Sequence, residues 1–325
     1  MWRKRALQMD FREGFYGIIG DSSSAGADEV RKYNQAMLDA AFPNDPKMQQ
    51  KLRPNYNPGC KRIIISDDYY PSLALPHVFL HTDKISRITN TGIETEAAEH
   101  KDYDLIVLAT GFETLDFMHP IQMRGYNNTS LSDIWSHGAK ALYGITVSQM
   151  PNFGMLYGPN TNLGHNSIIL MIEAQSRYIN ALISPVLAAR KQNSALSIRP
   201  KEPRMQEYNQ QLQSDLARSA FADPNCQSWY KTDEGLITNN WSKNVIEYQE
   251  MVSTVDWDDY DIEGEGDGNK VLQDKKTQRI GRVREETVVS NGALGLIGVV
   301  SVAAVVAAGW VFKNGARHMS GLRVR

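Results

Sequence analysis

Cysteine is scarce in this 325-residue chain: Cys60 and Cys226 are the only two, far apart and in no CxxC or Cys/His cluster. Their spacing indicates neither a disulfide framework nor a zinc site, so a reducing compartment is the expectation. Net charge is also small, −2 at pH 7. Without a global basic field, nucleic acid is excluded from the expected partners. The opening stretch MWRKRALQMDFREGFYGIIGD has neither the continuous apolar run nor the small-residue cleavage site of a secretory signal. The catalytic patterns HExxH, GxSxG and GxxxxGKS/T are missing, and the GxGxG of residues 264–268 lies in acidic sequence with no strand ahead of it. No side-chain cluster marks a metal site.

What is present suffices for a folded core, since 42% of the residues are hydrophobic. Residues 28–42, DEVRKYNQAMLDAAF, carry helix formers and stop before Pro43, which predicts a surface helix. From Lys61 the texture changes to short β-branched runs, RIIIS, HVFLHT and KISRIT, separated by turn-like sequence. YDLIVLATGF, residues 103–112, has the nearly continuous apolar character of a strand buried on both faces of a parallel sheet, and FGMLYG, residues 153–158, predicts a second. SIILMIEAQSRYINALI then places Glu173, Ser176, Arg177 and Asn180 on one face, the pattern of a helix lying against a sheet and ending before Pro185.

Residues 186–255 read as helices and loops with several aromatics. Seven acids between Asp256 and Asp267 predict a solvated linker; a calcium loop would need its acids at alternate positions with a closing Glu. Residues 293–312, ALGLIGVVSVAAVVAAGWVF, run for 20 residues without a charge, about 30 Å as a helix and enough to cross a bilayer core. With the acidic stretch before it and the basic tail KNGARHMSGLRVR after it, this run predicts a single carboxyl-terminal membrane anchor. Both flanks carry basic residues, so they do not orient it, and reduced cysteines fit a main part on the cytosolic side.

Three stretches can carry chemistry. LYGPNTNLGHNS, residues 156–167, joins an apolar strand to an apolar helix whose first N–H groups and dipole favour an anionic or electron-rich neighbour. Gly158 and Gly164 permit close backbone approach, while Asn160, Thr161 and Asn162 serve either as caps or as ligand contacts. Thr110 and Gly111, ahead of Phe112, end the apolar run either as a simple turn or at the sheet end where α/β proteins bind ligands. Lys61 and Arg62 are either exposed basic residues beside a strand or an anion clamp, for which the planar Arg donor fork is suited.

Taken together, GCKRIIISDDYYPSLALPHV, DYDLIVLATGFETLDF, PNFGMLYGPNTNLGHNSIILMIEAQSRYI and SWYKTDEGLITNNWSKNVIEY resemble, in order and spacing, the carboxyl-terminal half of Baeyer–Villiger-type flavin monooxygenases over residues 10–260. The resemblance implies an α/β fold, part of a two-dinucleotide-binding-domain flavoprotein with an incomplete Rossmann-like FAD domain, followed by the transmembrane helix. It implies FAD as redox centre and NADPH as reductant, with one oxygen atom from O2 inserted beside a ketone carbonyl or delivered to a soft heteroatom. Arg62 matches the family's active-site arginine, facing flavin and nicotinamide and stabilising negative charge. Lys61 matches a residue near the NADPH phosphates, Thr110 and Gly111 the element against FAD, and Asn160 to Leu163 the segment beside the isoalloxazine.

On this reading residues 1–58 resemble the end of the NADPH domain, 59–185 the last part of the FAD domain and 186–255 a helix and loop extension. The linker at 256–292, the membrane helix at 293–312 and the basic tail at 313–325 follow. The family's GxGxxG fingerprint for FAD, its second glycine fingerprint for NADPH and the FxGxxxHxxxW-type signature between them have no counterpart in this sequence. The alternative is therefore a non-catalytic, membrane-anchored remnant or interaction protein with half a flavoprotein fold.

Overall fold

Helices begin where the sequence supplies caps. The computed structural model describes residues 11–264 and 276–283. The first helix, α1 (Tyr16–Gly20), packs on α2 (Ala25–Ala41), where Ser24 accepts from the N–H of Ala27 and Asp28 lies in the first turn. The helix predicted over 28–42 is this α2, and Phe42 caps it ahead of Pro43. Asp45 caps α3 (Pro46–Leu52), which carries proline at a position where the missing N–H costs nothing. Short α4 (Tyr69–Leu73) rests on α2.

Between Lys61 and Glu113 the chain departs from expectation. RIIIS and residues 103–112 are not strands. Ile64, Ile65 and Phe112 are 83%, 94% and 93% exposed, and Leu105, Val107 and Leu108 are exposed with them. An apolar run becomes a buried strand only when neighbouring strands accept its backbone hydrogen bonds, and none does here among the described residues. The stretch instead holds an antiparallel meander of β1 (Ile85–Ile88), β2 (Gly92–Thr95) and β3 (His100–Asp102). KISRIT is thus a strand as predicted, paired antiparallel.

The main core lies in the second half of the described chain. Short α5 (Leu131–Ile134) is capped by Ser130 and buries Leu131. FGMLYG forms turn and loop rather than a strand. Next comes α6 (Ile168–Lys191), with Ser167 at its N-cap. Met171, Ala174, Gln175, Tyr178, Ala181, Leu182, Pro185 and Ala189 form its buried stripe, the 3.6-residue period that seats a helix on a core. The helix runs through Pro185 rather than stopping before it. Ser184 donates its hydroxyl to the Asn180 carbonyl at 2.7 Å in the same turn, and burial of the Pro185 ring holds the segment in place.

Against α6 pack β4 (Leu196–Pro200), α8 (Val245–Met251) and β5 (Thr254–Asp256). Between them α7 (Glu202–Leu216) buries Met205, Tyr208, Leu212 and Leu216. β4 pairs antiparallel with β6 (Tyr260–Gly264), Leu196 opposite Gly264 and Pro200 opposite Tyr260. β5 pairs with β7 (Thr277–Arg279). The α/β class stands, but every sheet among the described residues is antiparallel.

Two expectations are corrected here. Residues 256–264 are packed structure rather than linker: Trp257 and Tyr260 are buried, and Tyr143 and Arg204 neutralise Asp259. The two cysteines, expected reduced and unpaired, form a disulfide with Cα atoms 6.3 Å apart across 166 residues. In the chain-entropy account, closing so long a loop stabilises the fold by about 5 kcal/mol.

No helix among the described residues is long and apolar enough to cross a membrane. The run expected to do so, 293–312, the basic tail and most of the 265–292 stretch lie outside the described residues.

Candidate functional site

The loop from Leu156 to Ser167 is held by residues 237–241 beneath it. Asn160, at φ 57°, donates its side-chain amide to the carbonyls of Ile237 at 2.7 Å and Asn240 at 3.1 Å. Its backbone N–H donates to Thr238, while Asn162 donates to the Asn239 carbonyl and accepts from the Trp241 N–H, forming a parallel bridge. Thr161 donates its hydroxyl to the Gly158 carbonyl at 2.7 Å. A Cβ on Gly158 would come within 2.3 Å of the Gly144 carbonyl, so only glycine fits that packing. Leu163 belongs to the core. The side chains of Asn160 and Thr161 are thus used inside the chain, and what the loop offers outward is backbone and its exposed members, Leu156, Tyr157 and Gly164.

The charge of Arg62 acts on one residue of this loop. Burial raises the phenol pKa of Tyr157, and the Arg62 guanidinium opposes that rise; the same opposition acts on Tyr230. Arg62 therefore lies within electrostatic reach of two phenols from separate parts of the chain, and its side chain is exposed. Lys61 stands 5.0 Å above the Tyr56 ring, a cation–π contact that leaves its charge at the surface.

Thr110, Gly111 and Phe112 are exposed, and the chain returns to the core immediately after them, where Thr114 donates its hydroxyl to the Trp229 carbonyl at 3.2 Å. Trp229 stacks at a tilt on Tyr230, with 4.4 Å between centroids. Gly111 has φ 84°, and a Cβ there would meet nothing within 4 Å. The segment 110–114 and the Arg62 segment thus approach the same Trp229–Tyr230 pair.

At the far end of the loop, the N-terminus of α6 is braced by an element the sequence reading did not connect to it. Glu13 accepts from the Asn166 side-chain amide and from the Val245 N–H, and its carboxylate lies 3.5 Å from the His165 ring. Tyr16 packs edge-on to the same ring at 5.4 Å and donates to the Ser242 carbonyl. The Arg62 cation and the exposed Tyr157 and Trp229 rings are groups suited to a ligand that is anionic in one part and planar and apolar in another.

No family model matches the chain. Curated relatives do. The FAD-binding monooxygenase ktnD of Aspergillus niger is 50% identical over 293 residues, 90% of this chain and 48% of the relative. Baeyer–Villiger monooxygenases of Pseudomonas aeruginosa and Streptomyces coelicolor are 38% and 34% identical, over 57% and 67% of this chain and 34% and 41% of theirs. The chain is similar to part of the Baeyer–Villiger-type flavin monooxygenases. It spans a third to a half of the length of these curated relatives. The fold agrees with solved members of that family. A complex of OTEMO with FAD and NADP superposes with a TM-score of 0.63 at 19% identity, over 79% of this chain and 51% of that one. Cyclohexanone monooxygenase from Rhodococcus sp. Phi1 bound to NADP+ gives 0.61 at 20% identity, over 80% and 46%.

Within this chain, the residues singled out from sequence divide into two groups. Lys61, Arg62, Thr110, Gly111 and Phe112 are exposed; Gly158, Asn160, Thr161, Asn162 and Leu163 are buried and organise the loop. The residues that link the groups, Tyr157, Trp229 and Tyr230, were not singled out. Their signal lay in LYG and SWY inside two of the four resembling blocks, where an aromatic beside a glycine or a polar turn reads as core. Asn240 was missed as well. It is fully buried under the loop, and neither side-chain polar atom has a hydrogen-bond partner among the described residues, so a bound group or water has a donor and an acceptor to meet there.

Proposed function

We propose that this chain forms one side of the active site of a monooxygenase that uses FAD and NADPH to insert one atom of O2 beside a ketone carbonyl or into a heteroatom. The observation that carries this reading is the approach of Arg62 to Tyr157 of the 156–167 loop and to Tyr230, next to the segment that follows Gly111. FAD, when bound, supplies electron transfer from NADPH and activation of oxygen. In this reading Arg62 holds negative charge at the reacting oxygen and orients the nicotinamide, and Lys61 meets the NADPH phosphates. Thr110, Gly111 and Phe112 lie along FAD, where the open space around Gly111 admits close approach. The loop from Gly158 to Leu163 stands beside the isoalloxazine in this reading, its shape held by the bonds of Asn160, Thr161 and Asn162 within the chain.

The exposed runs at Ile63 to Ile65 and Leu105 to Leu108 fit this reading as strands that await neighbours. We assign those neighbours, with the glycine fingerprints for both dinucleotides, to the rest of the protein. The uncharged 293–312 run is kept as a single membrane anchor, supported by its length. The main part is kept on the cytosolic side, where NADPH is supplied. Its test is alkaline extraction of membranes carrying the full chain and a chain ending at 292.

The function is tested by supplying FAD during purification, denaturing the protein and quantifying released flavin against chain. NADPH-dependent oxygen uptake and product analysis with a ketone and a thioether follow, on the chain alone and together with a family amino-terminal half. Flavin binding with ester or sulfoxide formation supports the reading. A folded sample that takes up no flavin in either setting sinks it and leaves the non-catalytic alternative.

A further inference from the structure

The 53-residue excursion from Lys61 to Glu113 is held at both ends by one short loop and touches the body between them where α4 rests on α2, Tyr70 donating to Asn34 at 2.6 Å. On entry, Asn57 donates its N–H to Asp223 at 2.7 Å and Cys60 is bonded to Cys226; on exit, Thr114 donates to the Trp229 carbonyl. Lys231 and Asn225 brace this loop by donating to the carbonyl and the carboxylate of Asp223. The covalent bond is the last fixed point before Lys61 and Arg62.

The sulfurs are not part of the main core. Cys60, Ala220 and Cys226 form a satellite cluster covered by Tyr56, separate from the large cluster centred on α6. Breaking this bond removes the covalent tie on the excursion and leaves the α6 packing intact. We propose that the Cys60–Cys226 disulfide is a thiol–disulfide switch that clamps residues 61–113, and with them Arg62, onto the 223–231 loop.

The chemistry needs a dithiol reductant. Its thiolate attacks Cys226 Sγ and the S–S bond breaks; Cys60 departs as a thiolate and takes up a proton. The second thiol of the reductant then displaces Cys226, so two electrons and two protons pass to the cysteines and the reductant closes to a disulfide. Lys61, adjacent in sequence and seated on the Tyr56 ring that covers the bond, places positive charge near the departing sulfur. Cys60 is 0% and Cys226 1% exposed, so the reductant reaches the bond only when the clamp opens locally. Reduction without unfolding of the core is the mark of a switch, whereas an inert staple yields only when the whole fold does.

The test is hydrogen exchange read by mass spectrometry on the full purified chain, before and after dithiothreitol, with thiols counted in parallel. Two free thiols should appear, with exchange at 57–62 and 110–116 faster by about tenfold or more and exchange across 168–191 within about twofold of the oxidised protein. Oxidised glutathione should restore the first state, and the C60S/C226S double variant should match the reduced one without reductant. The proposal is overturned if exchange at 57–62 is unchanged once both thiols are free, or if 168–191 loses protection together with it. It is equally overturned if the thiols are free as purified and oxidised glutathione does not join them. These readouts require neither flavin nor turnover, so their failure is separate from failure of the monooxygenase reading.

Discussion

Asn160 and Asn240 are joined across the base of the candidate loop, the side-chain amide of the first donating to the backbone carbonyl of the second at 3.1 Å. The same amide holds the Ile237 carbonyl, and both partners are buried. Asn160→Ala removes the side-chain donor of the buried Asn240 carbonyl, while the Ile237 carbonyl keeps the Gln213 amide, and it places alanine at φ 57°, where asparagine is tolerated and alanine is not. The expected loss is roughly 2–4 kcal/mol. It is read as a lower denaturant midpoint with an unchanged slope.

The glycines at the two ends of the candidate site should respond differently to alanine. At Gly158 a methyl group would sit 2.3 Å from the Gly144 carbonyl, a backbone contact that cannot swing away. Gly158→Ala is expected to cost about 1–3 kcal/mol through overpacking. Gly111→Ala meets no atom within 4 Å and carries only the penalty of φ 84°, about 1–2 kcal/mol. Thermal unfolding of the two variants ranks them, and a larger loss at Gly111 would contradict the packing described for Gly158.

The helices were legible because their signals are local. Ser24 and Ser167 sit at the N-caps of α2 and α6, and the polar positions Ser176 and Asn180 stay on the exposed face as spaced. The parallel-sheet strands expected at 103–112 and 153–158 are absent among the described residues, because a strand needs neighbours that accept its backbone hydrogen bonds and apolar character alone supplies none. Charge hid β6: in DWDDYDIEG the acids mask a 3-10 turn that buries Trp257 and a strand that opens at buried Tyr260, and Asp259 is tolerated because Tyr143 and Arg204, distant in sequence, reach it. The disulfide is equally non-local, and the site's linking aromatics became visible only through the position of Arg62.

Alkaline pH should unfold the protein sharply. Burial, the largest cause in each case, raises the phenols of Tyr143, Tyr178, Tyr208, Tyr248 and Tyr260 above their ordinary 10.0, with Asp259 adding to the rise at Tyr143. A raised phenol stays neutral in the folded state while the unfolded one ionises, so its contribution is fully present below pH 10 and is lost as pH rises through the folded value. Each such phenol steepens the fall by up to about 1.4 kcal/mol per pH unit. Phenolate absorbance and far-ultraviolet circular dichroism should therefore change together above pH 10. Ionisation of these phenols well ahead of the loss of ellipticity would contradict their burial.

Arg62 gives the sharpest separation between folding and function. Its guanidinium is exposed, so Arg62→Ala should change stability by no more than about 0.5 kcal/mol. Removing it also removes the positive charge that opposes the effect of burial on Tyr157 and Tyr230, so both phenols should titrate at higher pH in the variant. If the same charge stabilises the reacting oxygen in the assembled flavoprotein, product formation should fall by about 100-fold to 1,000-fold, the usual effect of losing one preorganised donor. Arg62→Lys keeps a charge but not the planar fork, and should restore the phenol titration more completely than the activity. Stability, tyrosine titration and turnover measured on the three proteins separate these effects, because a purely structural arginine would lower stability and activity together.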